Sequence, residues 1–128
     1  MENKSIVNEK AIAFALQIIE LYKLLKNNKE YVLSKQLLRS GTSIGANVAE
    51  ALAGQSTRDF VHKMSIASKE ARESHYWLIL LEKSQLVSHD FSDEIEKCNE
   101  LIRLLTSIVK TTTQNLELKI QNSNKDVK

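Results

Sequence analysis

The chain has no proline, only three glycines among its 128 residues, and a single cysteine. Gly41 and Gly45 fall inside one apolar-periodic segment and only Gly54 at a joint, so turn-forming residues are nearly confined to two short joints, which excludes most all-β designs. Cys98 has no second cysteine to pair with, so there is no disulfide framework and the expected compartment is a reducing cytoplasm. No apolar run approaches the roughly 20 residues of a membrane span, and the opening MENKSIVNEK lacks the apolar core of a signal peptide. No membrane association is expected. Charge of one sign is also scarce: the net charge is +2, too mild to announce nucleic-acid binding by itself. The basic excess lies in the first part, with eleven Lys and Arg against seven Asp and Glu up to Arg72, and seven against nine from Glu73 onward.

A composition of 42% hydrophobic and 27% charged residues is an ordinary globular balance, and the length suits one domain. The stretch from Gln36 to Trp77 organises the remainder. Gly41, Gly45, Ala49 and Ala53 recur every four residues, which on a helix makes a ridge with almost no side chain where a second helix can come close. Beside it Arg39, Ser43, Asn47 and Glu50 share a polar face, and Leu37, Ile44, Val48 and Leu52 an apolar one.

Apolar spacing predicts four helices over about 5–26, 30–53, 57–83 and 90–118, with 119–128 a frayed polar tail. The first keeps Ala11, Phe14, Ile18, Leu21 and Leu25 in strict steps of three and four, and Asn27 and Asn28 stop it. Glycine inside the second needs a packing reason, Gly54 ends it, and Ser56 with Asp59 forms an N-cap pair for the third. The third places Phe60, Met64, Ala67, Ala71, Ser74, Leu78 and Leu81 on one face. Its end, Trp77 to Leu81, is apolar nearly all round, so Trp77, Ile79 and Leu80 are the expected oligomer interface. The fourth carries Phe91, Ile95, Cys98, Ile102, Leu105, Val109, Thr112 and Leu116, which places Cys98 in the core. Long helices with short joints pack as antiparallel neighbours, giving an all-α, up-down-up-down left-handed four-helix bundle in a single domain.

The bundle invites a di-iron site, yet no glutamate has a histidine three residues on, and His62, His75 and His89 do not assemble a ligand set; they read as surface histidines. No metal or cofactor is expected. GTSIG lacks the Gly-Lys-Ser/Thr of a phosphate loop, and no base is placed beside Ser43 for nucleophilic chemistry, so no catalytic residue is assigned. Glu70 and Glu73 have the spacing of an acid/base pair, but the structural reading is an ion pair with Arg39 or a lysine of another helix, and Arg39 with Ser43, Asn47 and Glu50 makes the rest of a buried polar motif. The functional signal is a basic stripe: Arg58, His62, Lys69 and Arg72 follow one another at steps of four, seven and three, with Lys35 adding charge from the second helix. The alternative for such a row is a solvated face. A symmetric ring would repeat the row and multiply phosphate contacts.

The motif Arg39, Ser40, Ser43, Ile44, Asn47, Ala49 and Glu50, with the later Ile66, Ala67, Glu70 and Glu73, resembles the R-S-x-x-S-I-x-x-N-x-A-E and I-A-x-x-E-x-x-E of the bacterial ribosomal S23-like, or 23S rRNA intervening-sequence, four-helix bundle proteins. Relatives of that family include the accessory variability determinant protein of diversity-generating retroelements. The resemblance spans roughly residues 5–118 and implies a homopentameric ring without established catalytic activity and with an open general function; through the retroelement relative it implies association with RNA or DNA and with a reverse transcriptase. The alternative is a protein-interaction scaffold that binds no nucleic acid.

Overall fold

Apolar residues spaced by three and four build the first helix, α1 (Glu2–Asn27), whose Val7, Ala11, Phe14, Ile18, Leu21 and Leu25 are all buried. The computed structural model describes residues 2–126, with three further helices: α2 (Leu33–Leu52), α3 (Thr57–Ser84) and α4 (Ser92–Asp126). Each helix packs on the next, and α1 meets α4 to close the ring, so the architecture is an all-α antiparallel four-helix bundle. Its core is one contiguous cluster, in which each fully buried Phe, Leu or Ile contributes about 1.5–3 kcal/mol of transfer free energy.

The ends of the helices follow local chemistry that spacing does not reveal. α1 closes with Lys29, not an asparagine, in the left-handed region at φ 66°, while the Glu30 N–H donates to the Leu25 carbonyl and the Lys29 N–H to that of Lys26. Glu30 lies before α2 and not inside it. Its carboxylate accepts the N–H groups of Val32, Leu33 and Ser34 at 3.2, 2.9 and 2.7 Å, which otherwise lack partners at a helix start. Desolvation opposes ionisation of Glu30, but these backbone donors outweigh it and hold the carboxyl below its ordinary value. At the other end of α2, Gly54 does not adopt a left-handed conformation; the Gly54 N–H donates to the Ala51 carbonyl at 3.1 Å, an approach that a Cβ would crowd. Ser56 caps α3, its hydroxyl accepting the Asp59 N–H, and the α3 residues expected on the core face are all buried.

Two expectations need correction. The α4 seam is rotated: Phe91, Cys98 and Leu105 are buried together with Glu94, Leu101 and Ile108, while Ile95, Ile102 and Val109 flank the core. Steps of four and three fit both registers, and contact with α1 as well as α3 selects the one observed. α4 also continues through the stretch expected to be a frayed tail, as far as Asp126; Val127 and Lys128 lie outside the described residues. Nothing in that stretch breaks a helix, and extending an existing one carries no nucleation cost.

The small-residue ridge of α2 is a close contact over only part of its length. A Cβ at Gly41 would lie 3.0 Å from Ile18 Cγ2, whereas one at Gly45 would be 3.7 Å from Ala11, at ordinary contact distance, and Ala49 and Ala53 are exposed. Gly41→Leu is therefore expected to destabilise by about 1–3 kcal/mol or more through overpacking, while Gly45→Ala raises stability by up to about 1 kcal/mol through helix propensity. Urea melts of the two variants check this, and equal midpoints would remove the distinction. Because the Glu30 carboxyl is held below its ordinary value, the cap contributes fully above that value and is lost as pH falls through the lowered one. Glu30→Ala should cost about 0.5–2 kcal/mol near neutrality and progressively less in acid, as read from melts across that range.

Candidate nucleic-acid interface

α3 buries one stripe against α2 and α4, and this leaves its opposite face to solvent. Arg58, His62, Lys69 and Arg72 lie on that face and are all exposed. They extend over about 21 Å of helix, the axial span of roughly six phosphates on one strand. Among the described residues none of the four has a carboxylate within ion-pair distance; Arg72 Nη2 donates to Thr106 Oγ1 of α4 at 3.1 Å. Lys35 is exposed. The Ser40–Ser74 and Glu50–Lys63 contacts set the antiparallel register of α2 on α3, and they put Lys35 level with Ile79, about 10 Å along the axis beyond the Arg72 end of the row.

The polar motif is not a buried network within the chain. Arg39, Glu50 and Glu73 are exposed, while Ser43, Asn47 and Glu70 are half-buried. Ser43 Oγ donates to the Arg39 carbonyl at 2.7 Å and Asn47 Nδ2 to the Ser43 carbonyl at 2.8 Å, so both side chains turn back on their own helix. Glu50 pairs with Lys63 at 3.2 Å with 61% of its side chain accessible. Glu70 is the member whose ionisation is disturbed: burial and then the neighbouring Glu73 push its carboxyl up, and Arg39 partly offsets them. The buried polar link between α2 and α3 is instead Ser40 with Ser74, their hydroxyls 2.8 Å apart, with the Leu37 and Glu70 carbonyls as further acceptors.

The end of α3 is better covered than its composition implied. Trp77 packs against the core, its indole N–H buried without an acceptor, and Ile79 and Leu80 are half-buried. Beside them Tyr76 is exposed at 55%, and further exposed apolar side chains lie on α1, with Ile12 at 52% and Leu16 at 59%. His89 is no free surface histidine: its Nε2 lies 3.0 Å from Glu94 Oε2, in a half-buried pair whose other carboxylate oxygen has no partner. The Cys98 thiol is buried, pushed up to about 12 by desolvation, and donates to the Ala71 carbonyl at 3.2 Å, so it is inert. Among the described residues no three His, Cys, Asp or Glu side chains are grouped to hold a metal ion, and no helix is long and apolar enough to cross a membrane.

The fold, with this motif on the α2–α3 face, can be compared with known proteins. The family model of the 23S rRNA-intervening sequence protein matches residues 3–107. The chain belongs to that family. Its fold is also that of a crystal structure of a protein of unknown function from the S23 ribosomal protein family of Bacteroides thetaiotaomicron, at 44% identity and a TM-score of 0.80, covering 84% of this chain and 98% of the other. No curated protein matches the chain.

Exposed and buried polar contacts make different predictions within this family fold. Glu50→Gln breaks only a surface ion pair and should change stability by less than about 1 kcal/mol. Ser40→Val removes the buried bond between the two helices and crowds a space built for serine, although Ser74 keeps the Glu70 carbonyl, and should cost about 1–3 kcal/mol. Thermal melts that rank the two the other way would restore the glutamate to the structural framework.

Proposed function

We propose that this member of the 23S rRNA-intervening sequence family is a non-enzymatic homo-oligomer that binds RNA or DNA through its phosphate backbone, with Arg58, His62, Lys69 and Arg72 as the contact row. The observation that carries the reading is the row itself: four basic positions on one exposed helix face with no carboxylate paired to them among the described residues. Arginine and lysine held in this way contact phosphates without reading bases, so binding depends on salt and little on sequence. One row on a chain of net charge +2 is weak, and copies arranged in a ring multiply it. A pentamer and association with a reverse transcriptase rest on the family resemblance, and a cytoplasmic location on the single cysteine, Cys98. Lys35 of α2, about 10 Å beyond the Arg72 end of the row, adds a further phosphate contact to this reading.

A second reading, a protein-interaction scaffold, is favoured by the exposed Ile12 and Leu16, which lie one turn apart on α1. Salt separates the two readings, since an apolar partner interface does not weaken steeply as salt rises. The triple variant Arg58→Ala, Lys69→Ala, Arg72→Ala should keep its stability within about 0.5 kcal/mol of the parent, because all three side chains are exposed. Its affinity for a labelled RNA should fall similarly for unrelated sequences, with a shallower dependence on salt. Parental RNA binding by the triple variant would exclude the row, and sedimentation of the parent as a 14.5 kDa monomer at micromolar concentration would exclude the oligomer.

A further inference from the structure

The basic row does not stop at Arg72. Tyr76 follows Arg72 by one turn of α3 and Lys83 follows Tyr76 by two, so both continue the face that carries Arg58, His62, Lys69 and Arg72. Lys83 is exposed in the last turn of the helix, and Tyr76 is 55% exposed. At the helical rise Tyr76 lies about 6 Å beyond Arg72 and about 10 Å short of Lys83, an aromatic ring set between two cations.

The ring is held in place by its neighbour. Trp77 packs against the core with its indole N–H buried, and Tyr76 meets it edge to face, with the ring centroids 5.2 Å apart and the planes at 65°. An edge-to-face contact leaves at least one face of the tyrosine ring uncovered by Trp77. Charges on either flank differ in sign. Glu70 and Glu73 lie toward α2, where Arg39 acts on Glu70. Toward α4, Arg72 reaches Thr106, and Arg103 and Lys110, one turn before and one turn after Thr106, are both exposed. A polyanion on this face is therefore drawn to the α4 side of the row, past Tyr76.

Phosphate contacts alone do not favour a single strand over a duplex, because both present a charged backbone. An uncovered aromatic ring does. Inside a duplex each base is stacked on its neighbours, whereas an unpaired base offers its face to a ring, and stacking of this kind accepts any base. Cations in line with a fixed tyrosine serve both parts of a single strand at once, the backbone along the charges and a base on the ring.

We propose that the α3 face selects single-stranded over double-stranded nucleic acid, with an unpaired base stacked on Tyr76 and Lys83 extending the phosphate track beyond it. The inference rests on the reading of the row as a phosphate-contacting surface and names the form of nucleic acid that the surface takes.

The test is a titration of the full chain, followed by fluorescence anisotropy, with three labelled probes of equal length: a single-stranded RNA of mixed sequence, its duplex, and a base-free ribose-phosphate strand. Tyr76→Leu keeps an apolar side chain against Trp77 and removes the flat face, while Tyr76→Phe keeps the face. The parent should bind the single strand about tenfold more tightly than either other probe, and Tyr76→Leu should lose about that factor for the single strand alone. Its salt slope should stay parental, since no phosphate contact is removed, and Tyr76→Phe should bind as the parent does. Sedimentation of Tyr76→Leu should match the parent; a smaller particle would place the ring in a contact between subunits and overturn the proposal. Equal affinity of the parent for single strand and duplex, parental single-strand affinity in Tyr76→Leu, or an equal loss for the duplex also overturns it. In each of these cases a loss of RNA affinity in the Arg58→Ala, Lys69→Ala, Arg72→Ala variant keeps the phosphate row, so the two readings fail separately, whereas a parent that binds none of the probes removes both.

Discussion

The bundle depends on how thin α2 is along the face it buries. Ser34, Ser40, Gly41 and Ala51 alternate there with Leu37, Ile44 and Val48, so the helix presents gaps as well as knobs. Gly41 lets the Ile18 side chain of α1 rest against the α2 backbone, and Ser40 lets α3 come near enough for two serine hydroxyls to meet. A helix held closely on both sides fixes the spacing of α1 and α3, and α4 then closes the remaining side through α3 and, less extensively, α1. Glycine costs helix propensity, and the close packing it permits is the compensating gain.

Polar groups are divided by depth. Those inside are small hydroxyls and a thiol, each bonded to a carbonyl or to one another, so little desolvation is left uncompensated. Charged groups lie outside, where Lys10 with Glu100 ties α1 to α4 and Glu50 with Lys63 ties α2 to α3. Exposed pairs of this kind add little stability, which leaves the surface of α3 free to carry a basic row without strain on the fold. The two buried atoms without partners, the Trp77 indole nitrogen and one Glu94 oxygen, are the exceptions.

α4 differs from the others in outrunning its neighbours. Past Ile108 none of its described residues is buried, and the final eighteen, from Val109 to Asp126, extend for roughly 27 Å as continuous helix. Only Val109, Thr112, Thr113 and Leu116 of this segment are half-buried, so it has little packing and persists because it prolongs a helix already nucleated in the core. Its cost is small, and its consequence is a second wall beside the α2–α3 turn where the bundle would otherwise end flat.

The sequence by itself determined the four helices, their antiparallel order and most of the core, because helical periodicity in α1 and α3 admits one apolar face and short joints admit one topology. It also showed the basic row, since residues at steps of four, seven and three on a helix share a face whatever the helix packs against. Tertiary structure decided what depends on neighbours. It set the rotation of α4, where Leu101 and Ile108 displace Ile102 and Val109 from the centre, because two apolar registers were available and contact with two helices selected one. The depth of the Arg39 and Glu50 motif also lay beyond sequence, since charged residues on one helix face can be buried or solvated with identical spacing. So did the left-handed backbone at Lys29, the Glu30 cap and the open groove between α4 and the α2–α3 turn, each of which needs two segments to be placed before either residue has a partner.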